Sequence, residues 1–220
     1  VIDRKKELLY NSDILRWQSQ KPNWFHCHQK FGGAMRVIAG SAKSMPLKTV
    51  PGLDTRPTTD RIKETLFNML QNQIPGCRFL DLFSGSGAIG IEALSRGAEE
   101  AVFVEKARAA AGCIRDNLEF TKLKDRAVVM ECDCTAAVER LGNQQRIFDC
   151  IFMDPPYRTD AERPVLAAVK RCGIADENTY IIIEAALHSD FSWAEEMGYR
   201  IDRVKKYKTN EHIFMHLRRE

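Results

Sequence analysis

Five apolar runs, separated by segments with helical periodicity, constrain the fold of this 220-residue chain more than any other feature. The runs are continuous rather than alternating, which is typical of strands that are covered by helices on both faces. Their alternation with helices predicts a doubly wound, mostly parallel α/β sheet. The predicted strands are 78–83, 101–105, 127–131, 148–153 and 179–185, and the predicted helices are 88–96, 107–120, 135–141 and 160–172.

Both ends of this core carry further predicted elements. Segments 199–207 and 212–217 predict an antiparallel hairpin after the last parallel strand. Segments 36–39 and 46–50 predict a short hairpin around Gly40, followed by a helix from Asp60 to about Asn72. Residues 1–34 show no sustained periodicity, and we expect them to be a non-native or disordered extension that precedes a natural start at Met35.

The charge of the chain is unevenly distributed. The net charge is +3, but residues 1–80 contain 13 Lys and Arg against 6 Asp and Glu. The N-terminal part is therefore the candidate surface for phosphates, although solvated lysines that only aid solubility give the same pattern. The candidate RNA-binding residues are Arg36, Lys43, Lys48, Arg56, Arg61 and Lys63. A second basic cluster comprises Arg203, Lys205, Lys206 and Lys208.

Composition excludes several classes of protein. No apolar run is long enough to span a bilayer, and the N-terminus lacks the apolar core of a signal peptide. The seven cysteines form no Cys-x-x-Cys pair, so we expect reduced thiols, no metal site and a cytoplasmic protein.

A glycine-rich turn follows the first predicted strand of the core. Gly85, Gly87 and Gly90 are spaced as Gly-x-Gly-x-x-Gly at the start of a helix, and Glu105 ends the next strand. This pattern favours a nucleoside, with the Glu105 carboxylate on the ribose hydroxyls. Asp81 would repel a pyrophosphate but attract the ammonium and sulfonium of S-adenosylmethionine.

Asp133 is a candidate acceptor for the adenine amine. Helix capping is the alternative role for both Asp81 and Asp133. The candidate cofactor-binding residues are Asp81, Phe83, Ser84, Gly85, Ser86, Gly87, Glu105, Lys106, Asp133, Cys134 and Asp154.

The tetrapeptide Asp154-Pro155-Pro156-Tyr157 directly follows the fourth predicted strand. The Asp154 carboxylate and the Pro155 carbonyl can both accept hydrogen bonds from one amino group, and the prolines stiffen this frame. Tyr157 offers an aromatic face on which a base can stack. These four residues are the candidate catalytic residues for chemistry on a nucleobase amine; the alternative is a strand exit with a solvated Asp.

Topology brings the two motifs together. In a strand order of 3-2-1-4-5, the first and fourth strands flank the point where the order reverses, and open α/β sheets bind ligands there. Asp154 is therefore expected beside the methyl group of the cofactor.

The chain resembles the class I S-adenosylmethionine-dependent methyltransferases, and more closely the bacterial small-subunit ribosomal RNA (guanine-N2)-methyltransferases of the RsmD type. The segments that carry the resemblance lie between Met35 and Leu217: Met35-Arg36-Val37-Ile38-Ala39-Gly40, Arg56-Pro57-Thr58 with Asp60-Arg61 and Lys63-Glu64, Asp81 to Gly87, and Asp154 to Tyr157.

The resemblance implies a Rossmann-like, seven-stranded sheet of order 3-2-1-4-5-7-6 with an antiparallel last hairpin. It implies a methyltransferase domain at 78–220 and an appendage at 35–77 on the side of the RNA and cofactor. The implied substrate is a guanine of 16S rRNA in the assembling small subunit, methylated on N2 by a protein that we expect to be a monomer.

Three other functions remain open at this point. Asp-Pro-Pro-Tyr also occurs in adenine-N6 DNA methyltransferases, although 220 residues leave little room for a DNA-recognition domain. A non-catalytic adaptor that binds S-adenosylmethionine or RNA is disfavoured by the intact tetrapeptide. An NAD-dependent oxidoreductase explains Glu105 but neither Asp81 nor the proline turn.

Overall fold

A central seven-stranded sheet organises the part of the chain that the computed structural model describes, residues 35–50, 60–156 and 159–219. The helices are α1 (Asp60–Met69), α2 (Ala88–Ser95), α3 (Arg108–Thr121), α4 (Cys134–Asn143), α5 (Glu162–Cys172) and α6 (Trp193–Glu196). The strands are β1 (Arg78–Leu82), β2 (Glu100–Val104), β3 (Ala127–Met130), β4 (Cys150–Met153), β5 (Tyr180–Ala186), β6 (Tyr199–Lys206) and β7 (Asn210–Leu217).

The strand order is β3-β2-β1-β4-β5-β7-β6, which confirms the predicted topology. Strands β1 to β5 pair in parallel, and β7 is antiparallel to both β5 and β6. Strands β1 and β4 are neighbours, with Leu82 opposite Met153. Their carboxyl ends therefore lie side by side where the strand order reverses, and this edge of the sheet is the expected ligand crevice.

Each face of the sheet has its own apolar core. Phe79, Phe103 and Phe152 point to the face that is packed by α1, α2 and α3, together with Ile182 and Phe214. Leu80, Val102 and Ile151 point to the opposite face, which is packed by α4 and α5. Burial of both faces is the reason that the strands are continuously apolar in the sequence.

Residues 35–48, here called the strap, form the predicted hairpin around Gly40, but its arms are too short to be regular strands. The two arms are joined by an isolated antiparallel bridge of Arg36 with Pro46 and by hydrogen bonds from Val37 N to the Met45 carbonyl at 2.9 Å and from Leu47 N to the Met35 carbonyl at 2.8 Å. Side chains of α2 and α3 accept hydrogen bonds from other backbone N–H groups of the strap. Glu92 accepts hydrogen bonds from Ile38 N and Ala39 N at 2.7 and 3.0 Å, and Asn117 accepts one from Lys48 N at 2.8 Å.

Gly40 allows this strap to lie directly on α2. Its φ is +86°, and a Cβ atom at this position would lie 1.8 Å from the carbonyl oxygen of Ser95. Ser95 uses this close approach, because its carbonyl accepts from Ser41 N and its hydroxyl accepts from Ala42 N. A residue with a side chain does not fit here without moving the strap.

The helices within the described ranges are all too short or too polar to cross a membrane. The predicted end of α1 near Asn72 comes three residues after the observed end at Met69, and α6 was not predicted. The predicted extension at residues 1–34 and the motif around Arg56-Pro57-Thr58 lie outside the described residues.

Candidate active site

The glycine loop leaves β1 in a left-handed conformation at three residues. The φ angles of Phe83, Gly85 and Gly87 are 63°, 55° and 78°. Ser84 joins the loop to β2, since its N–H donates to the Val104 carbonyl and its hydroxyl accepts from Val104 N, both at 3.0 Å. The Ser84 hydroxyl also donates to the Asp81 carbonyl at 2.6 Å. These hydrogen bonds hold the start of the loop against β1 and β2.

Asp81 is buried beneath this loop, with 1% of its surface exposed. Its Oδ2 accepts a hydrogen bond from Gly90 N at 2.9 Å, so the carboxylate caps the first turn of α2. Burial raises the pKa of Asp81 to about 7, against the opposing effect of the Gly90 N–H, and Glu105 adds to the rise. Asp81 therefore has the capping role that was the alternative to cofactor binding. A cation brought near its carboxylate would favour the ionised form. The cofactor role of Asp81 stays a prediction.

The Glu105 carboxylate organises the same loop from the end of β2. Its two oxygens accept hydrogen bonds from Gly85 N at 2.9 Å and from Ala107 N at 2.8 Å. Each carboxylate oxygen has a second lone pair, with which it can accept a hydrogen bond from a ribose hydroxyl. The neighbouring Lys106 is exposed.

Asp133 is the N-cap of α4, because its Oδ1 accepts from Thr135 N at 2.9 Å. The capping alternative is therefore correct for Asp133, and contact with an adenine amine would use its other oxygen. Cys134 is buried next to the backbone of Phe83, and burial raises the pKa of its thiol to about 12. The Cys134 side chain therefore packs against Phe83, the first residue of the glycine loop.

Asp154 is the first residue after β4, which ends at Met153. Part of its surface is exposed, but its carboxyl group lies within the protein. Because Leu82 lies opposite Met153, Phe83 of the glycine loop and Asp154 leave neighbouring strands together. Burial raises the pKa of Asp154 well above its usual value, and the charges of Glu184 and Asp81 raise it further. The glycine loop and Asp154 therefore leave the same edge of the sheet side by side, as the topology predicted.

The proline turn is partly described. Pro155 is buried and Pro156 is exposed, and the Pro156 carbonyl accepts a hydrogen bond from the Thr159 hydroxyl at 2.6 Å. The predicted stacking residue Tyr157 lies outside the described residues.

Comparison with known proteins identifies the family. The family model described as Conserved hypothetical protein 95 matches residues 35–216. The ribosomal RNA small subunit methyltransferase D of Escherichia coli K12 is 34% identical over 159 residues, covering 71% of this chain and 77% of that protein. The YlbH protein of Bacillus subtilis is 41% identical over 150 residues, covering 68% and 82%.

The fold is shared with a solved structure of the yhhF protein of Escherichia coli. The TM-score is 0.73 at 30% identity, over 86% of this chain and all of that one.

The chain belongs to the Conserved hypothetical protein 95 family. It is a class I methyltransferase of the RsmD type, and its cofactor is S-adenosylmethionine. The resemblance stated from the sequence is confirmed at this level.

The predicted RNA-binding residues of this methyltransferase have different surroundings. Arg61 and Lys43 are exposed. Arg36 and Lys48 form ion pairs with Asp60 at 2.9 Å and with Asp116 at 2.7 Å. Surface pairs of this kind are weak, so both cations can exchange their partner for a phosphate. Arg56 lies outside the described residues.

The prediction that Lys63 contacts RNA is wrong. Lys63 is 1% exposed, and its Nζ donates to the Arg36 carbonyl at 2.5 Å and lies 3.5 Å from Glu92 Oε2. Burial lowers the pKa of Lys63, and the nearby Glu92 carboxylate opposes this effect. Lys63 is therefore an internal partner of the strap, and its basic charge does not reach the surface.

Two residues that hold the strap, Glu92 and Asn117, were not predicted from the sequence, and Asn117 also contacts the glycine loop. Asn117 Nδ2 donates to the carbonyls of Lys48 and Ser86, at 3.1 and 3.0 Å. Glu92, fully buried, is shared by the strap, Lys63 and Arg96. A charged residue in the middle of an otherwise apolar helix was the available signal for Glu92.

Proposed function

We propose that this protein transfers a methyl group from S-adenosylmethionine to the exocyclic N2 of a guanine in 16S ribosomal RNA. The convergence of the glycine loop and Asp154 at the carboxyl ends of β1 and β4 carries the proposal. The relatives named ribosomal RNA small subunit methyltransferase D support ribosomal RNA as the substrate class.

Bound S-adenosylmethionine supplies an activated methyl group. The task of the protein is to present a poor nucleophile, because the lone pair of a nucleobase amine is delocalised into the ring. Hydrogen bonds from the two amine hydrogens to the Asp154 carboxylate and the Pro155 carbonyl would localise and aim that lone pair. Positioning of this kind lowers a barrier by several kcal/mol.

Asp154 is also suited to accept the proton that the methylated amine releases. Its pKa is raised by burial and by the neighbouring carboxylates, which brings it toward the working pH of a general base. Tyr157 would stack the base that has left its neighbours, at a cost of about a few kcal/mol for unstacking.

The RNA backbone would lie over the strap and the start of α1. Arg36, Lys43, Lys48 and Arg61 are the described basic residues of this region that reach the surface, with Arg56 as a further candidate. Phosphate contacts would set the register of the RNA, and the crevice would select the base.

The test is methyl transfer from labelled S-adenosylmethionine to 30S particles that lack the modification. We expect label in N2-methylguanosine after digestion of the RNA. Label found solely in adenine of DNA would instead support the adenine-N6 DNA methyltransferase. The same assay with protein-free 16S RNA decides whether assembled protein is part of the substrate.

Two variants separate chemistry from folding. Asp154→Ala is expected to lower the methyl-transfer rate by about a hundredfold or more, while binding of S-adenosylmethionine changes little. Asp149→Asn is the matched control, since this carboxylate pairs with Arg78 near the opposite end of β4. Wild-type rates for Asp154→Ala would refute the role of the tetrapeptide.

A further inference from the structure

Glu184 occupies the position next to Asp154 in the sheet. Strands β4 and β5 pair in parallel with Met153 opposite Ile183, so Asp154 and Glu184 follow as the next neighbours. Alternation along the strands places both on the face that carries Phe152 and Ile182. Glu184 is 4% exposed and lies within the apolar strand β5.

A hydrogen-bond network from β7 fixes this carboxylate. Asn210 Nδ2 donates to Glu184 Oε1 at 2.5 Å, and His212 Nε2 lies 3.2 Å from Glu184 Oε2. The other ring nitrogen of His212 lies 3.3 Å from the Tyr207 hydroxyl. One neutral tautomer of His212 satisfies both of its hydrogen bonds, with the Tyr207 O–H donating to Nδ1 and the Nε2–H donating to Glu184.

Fold stability alone does not explain a carboxylate at this place. Replacing a buried charged network by apolar side chains of similar volume is often neutral or stabilising. The network nonetheless lies at the carboxyl edge of the sheet, where Asp154 leaves β4 toward the glycine loop. Its charge is therefore held at the edge where the methyl acceptor would bind.

We propose that Glu184 is a positioning residue for methyl transfer, and that its charge, held beside Asp154 by Asn210 and His212, strengthens Asp154 as a proton acceptor. The inference rests on the proposed function. In that reaction the amine lone pair forms the new C–N bond and the C–S bonding pair stays on sulfur. The nitrogen, now positively charged, releases one hydrogen as a proton to the Asp154 carboxylate.

Other charged groups surround this pair and enter the pH dependence. Asp81 on β1 acts on Asp154 in the same direction as Glu184. His212 and Tyr207 face Glu184 from the hairpin, and the charges of Glu184 and Arg203 both act on Tyr207. Burial raises the pKa of Tyr207 to about 12, so its hydroxyl stays protonated and neutral near neutral pH.

The test removes the charge of Glu184 in two ways. Glu184→Gln keeps an oxygen acceptor for Asn210, and Glu184→Met offers a neutral side chain of similar volume if the amide variant does not fold. Glu211→Gln is the matched control, because Glu211 is an equally buried residue of β7 that points to the other face of the sheet. Circular dichroism and thermal melting establish that each variant is folded.

The first readout is carbon-13 NMR titration of the Asp154 carboxyl in the free protein, assigned by its loss in Asp154→Asn. We expect its midpoint to move to lower pH in both Glu184 variants and to stay at the wild-type value in Glu211→Gln. An unmoved midpoint in the folded Glu184 variants would overturn the inference, whatever the substrate is.

The second readout is the pH dependence of single-turnover methyl transfer. The acid limb is expected to move to lower pH in Glu184→Gln, with a plateau rate about tenfold or more below wild type. A plateau within about twofold of wild type would show that Glu184 does not act on the step. A shifted NMR midpoint without any label in guanine would instead leave the coupling intact and refute the proposed function.

Discussion

Replacing Asp81 with Asn is expected to stabilise the free protein and to weaken cofactor binding. Burial raises the pKa of Asp81 from 3.8 to about 7. The native carboxyl therefore binds its proton more tightly than the unfolded one, so its contribution to stability is present at low pH and is lost as pH rises toward 7. At about 1.36 kcal/mol per pKa unit, the ionised carboxylate costs the native state roughly 4 kcal/mol above that pH.

Asp81→Asn removes this cost and keeps an oxygen acceptor for the Gly90 N–H. Urea unfolding near pH 8 is expected to show a gain of up to about 4 kcal/mol, and the gain should shrink to about 2 kcal/mol or less near pH 5. Isothermal titration with S-adenosylmethionine is expected to show weaker binding than wild type, because the attraction for the cationic groups is gone. An equal effect on stability at both pH values would refute the assignment of the raised pKa to Asp81.

Three further predictions address packing, the strap and RNA binding. Gly90→Ala is expected to lower the free energy of unfolding by about 1–3 kcal/mol, because its Cβ would lie 2.3 Å from Phe103 Cε1. Gly112→Ala, which has open space around its Cβ, should be neutral or stabilising. Equal effects of the two substitutions in urea unfolding would contradict this explanation by packing. Asn117→Ala is expected to lower the free energy of unfolding by about 1–3 kcal/mol and to weaken S-adenosylmethionine binding, because the strap and the Ser86 carbonyl lose their shared partner. Asn68→Ala, at an exposed position, is the control. An unchanged affinity in calorimetry would show that the strap does not act on the cofactor loop. The logarithm of the RNA-binding constant is expected to fall steeply with the logarithm of salt concentration, and this slope should become shallower by about one unit in Arg61→Ala. Lys124→Ala should leave the slope unchanged, because Lys124 lies just before β3, at the amino-terminal end of the parallel strands. A flat salt response would assign the basic charge to solubility.

The sequence was sufficient to predict the sheet, because both of its faces are buried and its parallel strands are therefore continuously apolar. Each parallel strand ends within one residue of its predicted boundary, as β1 does at Leu82. The meeting of Asp81 and Asp154 also followed from topology alone, since adjacent parallel strands share a carboxyl edge.

The attachment of the strap to α2 and α3 could not be predicted, because its partners are distant in the sequence. Glu92 and Asn117 lie 54 and 69 residues from the strap residues that they bind, so no local pattern connects them. Two signals were present but not used. Lys63 shares the helical spacing of Leu66, Phe67 and Leu70, which marks a buried face, and Glu184 interrupts an apolar strand.

The proposed mechanism requires that the methyl donor and Asp154 meet at the carboxyl ends of β1 and β4. A crystal structure with bound S-adenosylhomocysteine measures this directly. We expect the sulfur atom to lie between the glycine loop and Asp154, close enough for an amine held by Asp154 to reach a methyl group on it at about 3–3.5 Å. A sulfur atom that points away from Asp154, with another side chain between them, would contradict the proposed mechanism.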